Sequence, residues 1–384
     1  MSVSVEPTRA ARGVRSRGSG RAVTVRGASS FAEVRRAYEL AARLFGPNSV
    51  EASRTLRAQL TLEPVTELQD VVVAASGREL VGMVRLVDRR LLLQGRPIPT
   101  AGVTSVCVHP DFRDQGIGRR LMEAALERVW RRRDALSVLF ARRASDGFYP
   151  KFGYVGVGCH PQLSIEPRDV NAVKTRAPHV RCTRGPLRAQ LPRYASLYNE
   201  AYGQVTLAFH RDTAWWRAFM ARSHLHLLRV DFVNVWFDST LIGYCVFHEE
   251  TVVEASYAPG QQDAFCHGLV TTAAAYGHGG VRAALPLDHP LMGRLRSLSH
   301  VMCVRLSWEG GHMARIIDLA RLGEIVGQDR VVERNDVRRH EDAQVVLLRL
   351  AGVNGGMSSR RLGEGVGSPP LFPVLPTWSI VDEF

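Results

Sequence analysis

Val106-Cys107-Val108-His109-Pro110-Asp111-Phe112-Arg113-Asp114-Gln115-Gly116-Ile117-Gly118-Arg119-Arg120 is the stretch on which the fold of this chain turns. Its apolar alternation through Val108 reads as a strand. Pro110 and the two glycines break that strand. The segment 118–130 then sets Leu121, Met122, Ala125, Leu126, Val129 and Trp130 on one stripe of a helix, with charges opposite. The first N–H groups of a helix have no intrahelical acceptor, and the helix dipole favours negative charge beside them. A strand feeding such a turn therefore aims a row of donors at one point, which suits a pyrophosphate. Gly116 and Gly118 let the backbone approach without a Cβ in the way, and Arg113, Arg119 and Arg120 add positive charge.

The neighbouring segments extend this unit in both directions. Upstream, Ser30 and Glu33 have the spacing of a capping box, and Phe31, Val34, Tyr38, Ala41, Leu44 and Phe45 follow at helical intervals. Strands are predicted at 71–75 and 80–87 around Ser76-Gly77-Arg78-Glu79, and at 91–93 and 104–108 around the Gly95-Arg96-Pro97 turn. Downstream, 136–140 reads as a short buried strand, 145–151 as a short helix or turn, and 154–157 as another strand. Side-chain alternation sends Cys107 away from Val106 and Val108 and into the core.

About thirty residues beyond the glycine turn stands Ala144-Ser145-Asp146-Gly147-Phe148-Tyr149-Pro150-Lys151-Phe152-Gly153-Tyr154. With the R-x-x-G-x-G pattern of 113–118 preceding it, the sequence resembles the GNAT superfamily of acetyl-CoA-dependent N-acetyltransferases. The resemblance implies that Val106, Cys107 and Val108 offer backbone groups to the pantetheine arm or the acetyl carbonyl. It implies that amides of Arg113, Asp114, Gln115, Gly116, Ile117, Gly118, Arg119 and Arg120 bind the pyrophosphate, and that Ser145 joins the cofactor set. Tyr149 becomes the candidate general acid, because a departing CoA thiolate needs a proton and a nearby phenol can supply one. Tyr154 is the rival, with the character of a strand residue.

The remainder narrows the resemblance to the Eis-like (enhanced intracellular survival) subgroup. The stretches that carry it are Trp215-Trp216-Arg217, Leu241-Ile242-Gly243-Tyr244, Leu287-Asp288-His289-Pro290-Leu291 and Met313-Ala314-Arg315-Ile316-Ile317-Asp318-Leu319. The fold class expected is α/β (α+β), with tandem GNAT-like mixed-sheet modules followed by a short sterol-carrier-like C-terminal portion. The expected division is a disordered basic tail over 1–27, a catalytic domain over 28–166, a degenerate second module over 167–300 and the C-terminal portion over 301–384. Residues 167–188 are polar and proline-bearing, and read as a linker or domain crossing. The second module shows no counterpart of the arginine–glycine turn, since Gly279-Gly280 follows a helix instead of opening one. Its expected role is to wall the substrate cleft.

The resemblance further implies that the C-terminal carboxylate, on Phe384, reaches the active site as base. A free α-carboxylate has a pKa of about 3.5 and an alkyl ammonium titrates near ~10. The reasonable role is therefore a relay through water to an amine already partly desolvated. His109, His289 and His312 stand alone in the sequence and read as structural or solvated.

Composition excludes several other classes. The chain has 384 residues, too many for one ordinary core, and its hydrophobic content of 45% fits a globular protein. No apolar run reaches the roughly 18 residues needed to span a bilayer, and the basic N-terminus lacks the apolar core of a secretion signal, so a cytoplasmic protein is expected. The net charge of +13 and pI of about 10.1 invite a nucleic-acid partner. The charge is almost all arginine, with lysine only at Lys151 and Lys174, and it is spread along the chain, so such a partner is not expected. The six cysteines form no C-x-x-C pair, and no Cys/His spacing suits a metal.

The reading is thus an acetyl-CoA-dependent N-acetyltransferase that needs no metal and acts by direct attack of a primary amine on a small polyamine or aminoglycoside-like substrate. The alternatives are a protein-lysine or N-terminal acetyltransferase and a non-catalytic acyl-CoA-binding regulatory protein. By resemblance to the subgroup, a homo-oligomer, in the form of a hexamer, is expected.

Overall fold

The capping box opens the first helix as its spacing requires. Glu33 N–H donates to Ser30 Oγ at 3.2 Å, and the Glu33 carboxylate accepts from the Ser29 amide at 2.8 Å and from Arg26 at 2.7 Å. These bonds hold its carboxyl down at about 2, with the Arg26 bond the largest cause. The computed structural model describes residues 22–45, 67–141 (except 94) and 147–326 (except 157, 175–178, 204, 206, 225–229, 277–279 and 308–310). Most of the expected basic tail, Ser145, Phe384 and everything from 327 onward lie outside the described residues.

In chain order the strands are β1 Val23–Gly27, β2 Val71–Ser76, β3 Glu79–Leu93, β4 Arg96–Val108, β5 Leu136–Ala141, β6 Val155–Gly156 and β7 Gly158–Ile165. They continue with β8 Val180–Arg184, β9 Asp231–Phe237, β10 Thr240–His248, β11 Thr251–Tyr257, β12 Val281–Ala283, β13 His300–Ser307 and β14 Gly311–Ile316. The helices are α1 Phe31–Phe45, α2 Ile117–Arg131, α3 Pro167–Lys174, α4 Leu191–Tyr202, α5 Thr213–His224, α6 Gln262–Tyr276, α7 Pro290–Leu295 and α8 Leu319–Val326.

The strands form two seven-stranded sheets, ordered β1-β2-β3-β4-β5-β14-β6 and β13-β7-β12-β11-β10-β9-β8. In the first, α1 packs on one face through Val34, Ala37, Tyr38 and Ala41 against Val71, Val73, Met83 and Cys107. On the other face α2 buries Leu121, Met122, Ala125 and Val129 against Val72, Ala74, Val84 and Leu139. The second sheet repeats this sandwich: α6 and α7 cover one face, and α4 and α5, rich in aromatic side chains, cover the other.

The two sheets share a topology. In each, a four-stranded antiparallel meander leads through a helix to a parallel partner, β4 to β5 through α2 and β11 to β12 through α6. The strand beyond that partner is exchanged. β7 follows β6 in sequence but pairs antiparallel with β12 and β13 in the second sheet. β14 follows β13 but enters the first sheet between β5 and β6. Each module is completed by a strand that the sequence attaches to the other.

This corrects the expected division. Val23–Gly27 is not tail but an edge strand paired with β2. The presumed linker holds α3 and β8. The boundaries at 166 and 300 cut across sheets, since β7 precedes the first and β14 follows the second. Strand partners are chosen by which edge needs covering, not by nearness in sequence. The strands expected at 91–93 and 104–108 are parts of one long hairpin, with β3 running to Leu93 and β4 starting at Arg96.

A third tie joins the modules. The segment following α4 runs along β3: Leu92 N–H donates to Ala208 O at 2.8 Å, Leu207 N–H to Leu92 O at 2.6 Å and His210 N–H to Arg90 O at 2.7 Å. Leu207 and Phe209 pack with Leu91, Ile98, Leu136, Val138 and Ala314 in one shared cluster. Arg211, which follows His210, is fully buried and forms a bidentate pair with Glu254 at 2.7 and 2.6 Å. Its guanidinium lies 4.0 Å from the ring centres of both Tyr198 and Trp215.

Candidate active site

The site begins where two parallel strands part. β4 pairs with β5 only over Thr100–Gly102, yet pairs with β3 as far as Val108. Ser105, at φ 55°, makes a bulge in β4 that shifts the register against β3 between Met83 and Arg85. The β5-facing backbone groups of β4 beyond Gly102 therefore have no strand partner among the described residues. Val106 and Val108 lean against the α2 cluster, whereas Cys107 packs on the α1 side, as alternation requires. Burial pushes the Cys107 thiol up to about 12, which leaves it inert.

The parted strands open toward the arginine–glycine turn. Asp114 at φ 60° and Gly116 at φ 72° both take the left-handed conformation, turning successive N–H groups inward as anion-binding nests do. Gly116 is the N-cap of α2, and an added Cβ there would meet nothing within 4 Å, so the cradle is open. Ile117 is buried and anchors the helix start, while Arg113, Asp114, Gln115, Arg119 and Arg120 are exposed. Two arginines are engaged elsewhere: Arg119 with Glu123 at 2.7 Å, and Arg120 with Val23 O at 2.9 Å. The third, Arg113, donates to Val108 O at 3.3 Å and braces the turn against the strand. Backbone amides thus furnish the directed donors, and the guanidinium groups supply the surrounding field. This open, donor-rich turn at the mouth of a backbone-lined cleft fits a diphosphate joined to an extended arm.

Tyr149 lies on the same face of the sheet. It opens a 3-10 turn, Tyr149–Phe152, that Gly153 ends at φ 76°. Phe148 links the turn to the cradle: its Cζ lies 3.5 Å from where a Cβ on Gly118 would stand, and its ring packs edge-on to Tyr149 and Phe152. Tyr149 is 8% exposed, and burial raises its phenol to about 12. Tyr154 is more deeply buried, and its hydroxyl is 2.6 Å from Ser137 Oγ. Burial raises its pKa further still, so it is the weaker candidate for moving a proton.

The structure therefore gathers Val106, Val108, the 113–120 turn and Tyr149 around one cleft. Phe148, next to it, was visible in the sequence as half of the Phe-Tyr pair. Arg315, on β14, donates to Phe152 O at 2.6 Å and had no local signal at all. Among the described residues no group of three or more His, Cys, Asp or Glu side chains could hold a metal ion, and no helix is long and apolar enough to cross a membrane.

Comparison with known proteins agrees with this geometry. Residues 25–156 match the family model described as acetyltransferase (GNAT) domain. No curated protein sequence matches the chain. Among solved structures, a GCN5-related N-acetyltransferase from Kribbella flavida superposes with a TM-score of 0.58 at 19% identity, covering 78% of this chain and 72% of that one. A probable N-acyltransferase from Enterococcus faecalis gives 0.59 at 16% identity, covering 79% and 75%. Eis1 from Mycobacterium abscessus gives 0.55 at 19% identity, covering 78% and 74%. At these identities the neighbours share the fold, across both modules. Residues 25–156 thus match an acetyltransferase (GNAT) domain, and the chain as a whole shares the fold of these N-acetyltransferase neighbours.

Proposed function

We propose that this chain transfers an acetyl group from acetyl-CoA to a primary amine of a small polyamine or aminoglycoside-like acceptor by direct attack. Acetyl-CoA supplies the activated acyl group as a thioester. The amides of the 113–120 turn hold its diphosphate, and the β5-facing backbone around Val106, which no strand covers among the described residues, holds the arm and polarises the acyl carbonyl. The amine nitrogen forms the new C–N bond as the C–S bond breaks, and the electron pair leaves on sulfur. Tyr149 returns a proton to that sulfur. The surplus ammonium proton goes to a base on the acceptor side, the role that family resemblance gives to the Phe384 carboxylate.

The observation that carries this reading is the buried Tyr149 phenol, placed through Phe148 beside the glycine cradle. At about 12 the phenol is protonated at any working pH, so it reaches the cleft as a donor. A free thiol titrates near ~8.5, which makes complete transfer from such a phenol on the order of 5 kcal/mol uphill. The apolar wall that raises the phenol also raises the proton affinity of a desolvated thiolate, which narrows this gap. Donation thus completes late, as negative charge collects on sulfur.

The test is release of thiol by purified protein with acetyl-CoA and a panel of polyamines, aminoglycosides and lysine peptides. Thiol release with the small amines, and a loss of about 100-fold in kcat for Tyr149→Phe, is the expected result. Binding of the coenzyme without thiol release from any amine would overturn it.

A further inference from the structure

We infer that Arg315, carried into the first sheet on the exchanged strand β14, is a positioning residue for Tyr149. This rests on the reading of Tyr149 as the proton donor. The register pairs Arg315 with Ser137 on β5, so the two side chains leave the sheet on one face, the face of Tyr154 and of the Tyr149–Phe152 turn. The Arg315 Nη1 donates to Phe152 O at 2.6 Å. That carbonyl ends the turn whose first residue is Tyr149, and a cation-donated hydrogen bond is a strong tether for it.

The turn's backbone bonds stay within it: beside its own 3-10 bonds, Gly153 N–H donates to Pro150 O at 2.9 Å and also to Tyr149 O, and Tyr154 N–H donates to Tyr149 O at 3.4 Å. The aromatic contacts of Phe148, Tyr149 and Phe152 are cohesive but weakly directional. Arg315 thus provides the one charged tie from sheet to turn among the described residues. Packing alone would not select it. Its Nε is buried with no acceptor among the described residues, and desolvation lowers its pKa. An apolar residue at this sheet position would avoid both costs. A general acid must reach its target within hydrogen-bond distance, and a misplacement of about 1 Å costs about 100-fold in rate. The tether therefore makes proton donation in the first module depend on a strand that arrives by way of the second.

The test uses the full chain with Arg315→Met and Arg315→Lys, each alone and combined with Tyr149→Phe. Acetyl-CoA affinity is read by calorimetry, kcat and KM by thiol release, and the turn by amide hydrogen exchange at Gly153 and Tyr154. Arg315→Met is expected to lower kcat by about 10- to 100-fold while acetyl-CoA affinity stays within about twofold. Exchange at Gly153 and Tyr154 should accelerate, and Arg315→Lys should recover part of both effects because it keeps one charged donor. In the Tyr149→Phe background, Arg315→Met should add nothing. Losses that multiply in the double variant overturn the positioning role, as does a fall in coenzyme affinity that tracks the fall in kcat. If Tyr149→Phe alone is silent, the proton-donor reading fails first, while the exchange data still report whether Arg315 holds the turn. Should Arg315→Met not fold, the Arg315→Lys and Tyr149→Phe cycle decides on the same non-additivity.

Discussion

The two modules share a sheet topology and part their parallel strands at the same place, yet one leaves a cleft and the other fills it. In the first, β4 and β5 separate after Gly102 and Val138, and the backbone around Val106 is left open. In the second, β11 and β12 pair only at Thr251–Val252, and the strand backbone beyond is capped by side chains. Ala255 C=O accepts from His289 Nε2 at 2.9 Å, and Ala255 N–H donates to Tyr202 Oη at 3.4 Å. Phe265 lies against Gly243, where an added Cβ would be 2.4 Å from its ring, and Leu291, Met292 and Leu295 of α7 complete the plug. The mouths differ in the same sense. The first is an arginine–glycine nest. The second is a short turn with Gly260 at φ 76°, and Asp263 stands in the first turn of α6, where an anion would be repelled. A common backbone thus yields an open cleft or a packed wall according to what caps one strand.

The largest effect should come from separating the modules. A fragment ending at residue 166 keeps every motif of the first module but lacks β14, leaving the outer edge of β5 and both edges of β6 bare. We predict no cooperative thermal unfolding by circular dichroism for this fragment and no uptake of acetyl-CoA. A fragment that melts sharply and binds the coenzyme would show the strand exchange to be dispensable.

Next in size is the ion pair behind the second module's wall. Glu254→Gln leaves the Arg211 guanidinium fully buried without its anion and weakens the bond from Tyr244 Oη, at 2.9 Å in the native protein. The expected loss is about 3–5 kcal/mol of unfolding free energy in urea. Because Arg211 directly follows the segment tied to Arg90 and Leu92, protease sensitivity should appear first around 203–212. A loss under about 1 kcal/mol would mean that the aromatic faces of Tyr198 and Trp215 hold the cation without help from the carboxylate.

The contrast between the modules also marks how far the sequence could be read. Elements with dense local signals were legible: the Ser30–Glu33 capping box, the α2 stripe, the arginine–glycine turn and the Phe148-Tyr149 pair. Each is built from residues within a few turns of one another. Strand exchange was not legible, because β7 and β14 carry the ordinary alternation of strands, and nothing local says which of two similar sheet edges each will cover. Arg315 was invisible for the same reason, since it meets Phe152 only after β14 crosses back. The second module reads as lacking an arginine–glycine turn, and the stretch at the corresponding place, Ala258–Gln261 just before α6, holds no arginine. His289 read as one more lone histidine, because it caps α7 and its partner Ala255 is on β11, more than thirty residues earlier.

A matched pair of substitutions sharpens the comparison at the two mouths. Gly116 and Gly260 have nearly equal positive φ, and an added Cβ at either would meet nothing within 4 Å. Gly116→Ala and Gly260→Ala should therefore cost the same backbone strain, about 1 kcal/mol each, seen as similar shifts in Tm. Only Gly116→Ala places a methyl group in the cradle. Calorimetry should show acetyl-CoA affinity falling at least about tenfold for Gly116→Ala, about 1.4 kcal/mol, and unchanged for Gly260→Ala. Equal losses of affinity would mean that both turns serve the coenzyme, and the assignment of one cleft would fail.

The last effect concerns the cap that closes the second cleft, and it is set by pH. His289 accepts the Leu291 N–H at Nδ1, at 3.1 Å, so Nε2 carries the proton that is donated to Ala255 O; the bond accepted at Nδ1 requires the neutral ring. Burial lowers its pKa to about 4, below the ordinary value of 6.5. As pH falls from 6.5 toward 4, the unfolded chain takes up a proton that the folded ring refuses, so stability declines across that window and is fully present above it. At pH 5 the loss relative to pH 7 is about 2 kcal/mol. Glu33, held at about 2, begins to contribute its own loss only as pH falls below its ordinary 4.5, so the two windows separate. In urea melts at pH 7 and pH 5, His289→Gln should be less stable than the native protein at pH 7 and should lose less on acidification. An undiminished slope in that variant would place the acid sensitivity elsewhere. The cap would then close the second cleft without making its closure respond to protons.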